Sequence, residues 1–204
     1  ERAIVNVKHR KKDMNGAELL GIHLEGPFIN KKQKGAQGEQ HILSPNIVQL
    51  KKFLEVTKND IKLVTIAGEL DEDYCLLRYL KEVGIVASIG HSDATYAEMA
   101  SLLNLKLIQS ATHFCNGMRT IHHREPGLQV ALIEGEAMLE IIADGYHIHP
   151  AMIRSIVRQV GYERIILISD SIRANGMPDG KYDLGGQLVQ VQGKACRLIK
   201  GNSI

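Results

Sequence analysis

Six residues able to bind a metal or carry a proton stand where an apolar, β-branched run gives out: Glu25, Glu69, His91, His113, His147 and Asp170. An ionised carboxylate at the edge of a core is costly unless a cation, a metal or strong donors compensate it. Glu25, at the end of the run Leu19 to Leu24, therefore needs a partner. A salt bridge to the lysines of KKQK (31–34) is the ordinary answer, but they read as a loop rather than core. Metal ligation is the better one. Two imidazoles joining Glu25 make a His₂Glu set, which leaves the open position that a catalytic zinc needs for water. Asp170 would enter the same mouth, as a proton acceptor and then donor or as a cap for the following SIRANG. Asn116 and Gly117 offer an amide and unhindered backbone suited to sugar hydroxyls, or simply a turn. Arg124 in HHREPG is either a bidentate fork for an anion or an exposed loop arginine.

These residues need elements that bring them together. Short strand-like runs alternate with amphipathic helical patterns: KLVTIAGE (62–69), DEDYCLLRYLKEVG (71–84), IVASIGHS (85–92), TYAEMASLLNL (95–105) and KLIQSATHF (106–114). GLQVALIEGE, MLEIIADGYHI (138–148), HPAMIRSIVRQVG and RIILISD (164–170) continue the series. With an opening strand approached from Ala17 and a helix over 44–59, this predicts six strands and five helices in alternation, the mark of a parallel sheet. A (β/α)8 TIM barrel assembles its active site from the C-terminal ends of several strands. A doubly wound open sheet would gather only the residues near its switch point and would open on a glycine-rich phosphate loop, which is missing from the first strand. The expected fold is α/β, a partial metal-dependent hydrolase barrel with about six strands visible.

Composition narrows the function classes. The chain has 204 residues, 44% hydrophobic and 24% charged, with a formal net charge of +2. That suits a globular core and gives no argument for a nucleic-acid partner; the basic run Lys8 to Lys12 reads as a solvated loop. No apolar run approaches the roughly 20 residues that span a bilayer and nothing resembles a signal peptide, so the reading is no membrane partner and a cytoplasmic location. Cys75, Cys115 and Cys196 lack CxxC spacing and are expected to be reduced, buried thiols. The chain starts at Glu1 without methionine and stops after KGNS, which reads as a fragment of something longer.

HLEGPF, GHSDAT, ATHFCNGM, HHREPG, ADGYH and SDSIRANGMPDGKYDLGG, in this order, resemble the N-acetylglucosamine-6-phosphate deacetylases of the amidohydrolase superfamily, from about Leu20 to Ile204. The resemblance implies a divalent metal on Glu25, His91 and His113, with zinc favoured and iron, manganese or cobalt as alternatives. It implies that Asp170 takes a proton from the attacking water and returns it to the departing amine, giving glucosamine 6-phosphate and acetate. Substrate positions would be Ala36, Gln37, Asn116, Gly117, His147 and Ile204, with Arg124 reaching the phosphate of a neighbouring subunit in a homodimer. The unit is residues 1–204, a partial catalytic barrel with a β-hairpin insertion at about 181–200.

The departures from the family pattern are specific. Many members read ATHLFNAM, so Cys115 and Gly117 imply a reshaped sugar pocket. Gly68 replaces a proline and would loosen its turn. Gln37 stands where relatives carry histidine, with His41 as an alternative carbonyl-polarising group. A strand before the first, carrying HxH in bimetallic members, and a final strand are both missing. Alternatives are another amidohydrolase (a deaminase or cyclic amidase), an inactive truncated form, or a metal-dependent sensor of amino sugar phosphates.

Overall fold

The computed structural model describes residues 6–7, 16, 18–193 and 195–199. The basic run Lys8 to Lys12, Ala17 and Ile204 lie outside them. Strands and helices alternate along the chain: β1 (Ile22–Glu25), α1 (Ile47–Thr57), β2 (Ile61–Ile66), α2 (Cys75–Glu82), β3 (Val86–Ile89) and α3 (Tyr96–Asn104). The series continues with β4 (Ser110–Ala111), α4 (Gly127–Glu134), β5 (Met138–Ile142), α5 (Pro150–Val160) and β6 (Ile165–Ile168). The six strands form one sheet in sequence order, every neighbouring pair parallel. This is the expected half-barrel.

Local chemistry trims the predicted helices. The helix expected over 44–59 begins after Asn46, whose side chain accepts the Gln49 N–H at 3.0 Å, and ends where Lys58 turns left-handed at φ 52°. The pattern over 71–84 becomes α-helical only at Cys75, after a 3-10 turn at Glu72–Tyr74 in which Asp73 and Tyr74 both have positive φ. Asp71 nevertheless caps that helix from outside, accepting the N–H groups of Leu76 (3.1 Å) and Leu77 (2.8 Å). Thr95 and Glu98 form a capping box at the start of α3. On α2, Leu76, Leu77 and Leu80 are fully buried against the sheet, each contributing about 1.5–3 kcal/mol of transfer free energy.

Three local expectations are corrected. β4 pairs over two residues rather than nine, since Lys106 takes a positive φ and the chain turns again at His113. β5 stops at Ile142, so His147 lies in the following loop. Gly68 does not loosen its turn: it is buried, and a Cβ there would stand 2.8 Å from Leu102 Cδ1, so the glycine permits a close approach. The thiols also differ from expectation: Cys75 is exposed, while Cys115 and Cys196 are half-buried, and all three are free.

After β6 comes a separate antiparallel sheet, β7 (Gly180–Leu184), β8 (Gln187–Gln192) and β9 (Ala195–Leu198). The predicted hairpin thus carries a third strand. Its first turn is two residues, Gly185 and Gly186, both at positive φ, as the favoured hairpin turns require. On one face Val189 and Val191 are buried, with Leu198 and Cys196 as their cross-strand partners. Among the described residues, β1 and β6 of the large sheet are each paired on one side only. Leu167 of β6 is accordingly 73% exposed, although its run reads as a core strand. Among the described residues no helix is long and apolar enough to cross a membrane.

Candidate active site

Glu25 is the last residue of β1, and His91 and His113 lie two residues beyond the ends of β3 and β4. The three meet. Glu25 Oε1 stands 2.7 Å from His91 Nε2 and 3.3 Å from His113 Nε2, and the two Nε2 atoms are 3.2 Å apart. The rings meet edge to face with centroids at 4.7 Å. Among the described residues this trio forms the one group of His, Cys, Asp or Glu side chains arranged to hold a metal ion.

The backbone is bent to make this convergence. His91, His113 and Asp170 take φ of 48°, 32° and 47°, a left-handed conformation costing roughly 1–2 kcal/mol for a residue with a Cβ. Such strain concentrates at functional sites. Gly90, just before His91, permits close packing of the strands, since a Cβ there would stand 2.8 Å from Thr65 and 2.9 Å from Thr112. Below the trio the half-barrel interior is polar: His23 Nε2 meets Thr65 Oγ1 at 2.7 Å, Thr65 meets Thr112 at 2.8 Å, and Thr112 donates to Ser88 at 2.7 Å.

The geometry fits a cation. His91 Nδ1–H points at the Gln33 carbonyl (2.7 Å) and His113 Nδ1–H at that of Asn116 (3.2 Å). Each ring therefore presents Nε2 to the shared space, the orientation that outer hydrogen bonds impose on metal-binding histidines. With both Nδ1 protons committed, the close Nε2 and carboxylate atoms must share either added protons or a metal. Gly117 (φ 57°) closes one side of the site. A Cβ there would lie 2.8 Å from His91 Nδ1 and 3.2 Å from the Gln33 carbonyl, so the loop stands closer to His91 than an alanine would allow.

Burial opposes ionisation of Glu25, but hydrogen bonds and charge from His113 and His91 outweigh it and hold its pKa far below the usual carboxylate range. Burial likewise opposes a charged His113, yet the Glu25 hydrogen bond and charge raise its pKa above 6.5. A metal held by this trio would have to displace a proton from His113, while Glu25 is already ionised near neutrality, so metal affinity is expected to fall as pH falls through the raised His113 pKa. One displaced proton gives about a tenfold loss per pH unit below that pKa. Calorimetric titration with a divalent ion across pH measures this, and a flat affinity would remove His113 from the ligand set.

A cavity of about 1070 Å³ opens over the trio, between the strand ends and the β7–β9 sheet. It is lined by Asp170, Ala36, Gln37, His41, Asn116, Gly117 and His147 as well as the trio. Arg124 is not among the lining residues: it is exposed, with Nη1 3.1 Å from His123 Nε2. The Asn116 amide donates back to the carbonyls of His113 (3.1 Å) and Phe114 (3.4 Å), so it serves its own turn in this state. His147 reaches the cavity through an Asx turn: Asp144 accepts the N–H groups of Tyr146 and His147 and takes His147 Nδ1–H at 2.7 Å. Cys115, on the cavity wall, has its thiol pushed up to about 12 by burial.

Two carboxylates near the trio have supporting tasks. Glu69 is a junction, accepting Asn30 Nδ2 (3.0 Å), Ser92 Oγ (2.7 Å) and the Asp93 N–H (2.8 Å). Asp93 holds Lys32 (3.2 Å), Gln33 Nε2 (3.1 Å) and Arg119 (3.1 Å). Sequence reasoning found Glu69 as a strand-end carboxylate and missed the support given by Asp93 and Asp144. Asp93 within GHSDAT and Asp144 within ADGYH were the available signals.

In a parallel half-barrel, the strand ends thus bring together two histidines and a glutamate arranged so that they could hold a metal ion, with an aspartate on the same cavity. No protein-family model matches the chain. Among curated proteins it is 40% identical over 205 residues to N-acetylglucosamine-6-phosphate deacetylase of Bacillus subtilis (strain 168), covering 98% of this chain and 52% of that protein. It is 37% identical to N-acetylgalactosamine-6-phosphate deacetylase of Escherichia coli O157:H7, covering 91% and 49%. A Mycobacterium smegmatis N-acetyl-D-glucosamine-6-phosphate deacetylase, solved as a mutant in complex with N-acetyl-D-glucosamine-6-phosphate, superposes with TM-score 0.91 at 33% identity, covering 100% of this chain and 52% of that one. The chain belongs to the N-acetylglucosamine-6-phosphate deacetylase family, and it spans about half the length of the relatives it matches.

Proposed function

We propose that the full-length protein hydrolyses the N-acetyl group of N-acetylglucosamine 6-phosphate, releasing acetate and glucosamine 6-phosphate. The observation that carries this reading is the meeting of Glu25, His91 and His113 under a cavity that Asp170 also lines. The three residues would hold one divalent ion, zinc before iron, manganese or cobalt, as the His₂Glu donor set favours. Such an ion supplies Lewis acidity to the amide. Asp170 accepts the proton of the attacking water and returns it to the departing amine nitrogen. Ala36, Gln37, Asn116, Gly117, His147 and Ile204 form the sugar site. Gln37 or His41, both on the cavity wall, donates to the amide carbonyl.

Residues 1–204 form one part of the catalytic barrel in this reading, and the protein works in the cytoplasm as a homodimer. The exposed position of Arg124, away from its own cavity, favours its reach to a partner's phosphate. The test is acetate release from N-acetylglucosamine 6-phosphate by the full-length protein, with N-acetylgalactosamine 6-phosphate in parallel and a metal-depleted control. Hydrolysis only of nucleobases or cyclic amides would overturn the proposal, as would metal-dependent binding of the sugar phosphate without turnover.

A further inference from the structure

The loop over residues 31–41 spans the ground between the trio and the β7–β9 sheet. On the metal side it is fixed twice: His91 Nδ1–H donates to the Gln33 carbonyl at 2.7 Å, and the Asn30 N–H donates to the His91 carbonyl at 2.8 Å. On its outer side Asp93 grips Lys32 and Gln33. The far end is held from another part of the fold, 151 residues along the chain, by Gln187 Nε2 donating to the Ala36 carbonyl. Gln187 is the first residue of β8, directly after the two-residue Gly185–Gly186 turn, and is half-buried. The same strand places Val189 and Val191 on the cavity wall, where Ala36 and Gln37 also stand.

We infer that Gln187 is a positioning residue. It clasps the β7–β9 sheet to the 31–41 loop, so that closure of the sheet over the cavity sets Gln37 and braces the carbonyl that orients His91. A glutamine suits this task because its amide is a neutral donor with the reach to meet a main-chain carbonyl. A carbonyl deprived of that donor would leave the loop to find another arrangement. For catalysis, the inference rests on the deacetylase reading; for the clasp itself it does not.

The experiment compares the full-length protein with Gln187→Leu and Gln187→Lys, the second keeping a donor of similar reach. Hydrogen exchange should show the amides of residues 35–38 exchanging about tenfold faster in the leucine variant, the mark of lost local protection. They should return towards wild-type rates in the lysine variant. With N-acetylglucosamine 6-phosphate, the leucine variant should lose roughly tenfold in kcat/KM with metal content retained, again restored by lysine. Unchanged exchange at 35–38, or faster exchange confined to residues 180–198, would overturn the clasp. A wild-type protein that fails to deacetylate would overturn the functional reading alone, because the exchange comparison judges the clasp without turnover.

Discussion

Asp170→Asn in the full-length protein is expected to keep its metal and to lose turnover by about two to four powers of ten, the scale of general acid–base catalysis. Asp170 lines the cavity beside the trio, and its charge acts on both His113 and His23, yet among the described residues it is not part of the group arranged so that it could hold a metal. Asparagine preserves its shape and removes the proton-accepting oxygen. Glu25→Gln and His113→Ala should behave differently, since each removes a donor atom from the trio and should release the metal together with the activity. Metal content by atomic absorption, read beside kcat, separates the two outcomes. Equal metal loss in the Asp170 variant would make that residue a ligand instead.

Replacing Arg124 by alanine should weaken use of the phosphorylated sugar selectively, by about 2 kcal/mol in transition-state terms, typical of a lost charge-assisted contact. Its guanidinium lies outside the cavity of its own chain, with Nη1 3.1 Å from Nε2 of His123, whose ring centroid is 4.2 Å from that of His122. A side chain placed there serves either solvent or a neighbouring molecule. If it serves solvent, the ratio of kcat/KM for phosphorylated and unphosphorylated N-acetylglucosamine stays unchanged. That result would remove Arg124 from the site and, with it, the argument for a homodimer.

The alternation of strands and helices was legible in the sequence because each element is set by short-range chemistry. Apolar periodicity, the Asn46 and Thr95 caps and the glycine turns all act within a few residues. The same locality explains why Glu25, His91, His113 and Asp170 could be picked out as strand-end residues, since a polar side chain closing an apolar run is visible without a fold. The choice among the three histidines was not visible by periodicity. His147 has the same local look as His91, but β5 ends at Ile142, five residues before it, and Asp144 captures its Nδ1. Glu69 looked equivalent to Glu25 and became a junction for Asn30, Ser92 and Asp93. The Gln33 carbonyl that aims His91 is 58 residues away from it, and the Gln187 amide that holds Ala36 is 151 residues away. Contacts over such separations depend on how whole elements pack, and main-chain carbonyls carry no residue signature. Sequence by itself therefore determined which side chains arrive at the rim of the half-barrel. Which of them meet was implied by the motif resemblance but not by periodicity or strand-end position, and tertiary structure decided it, because only packing brings distant donors to one point.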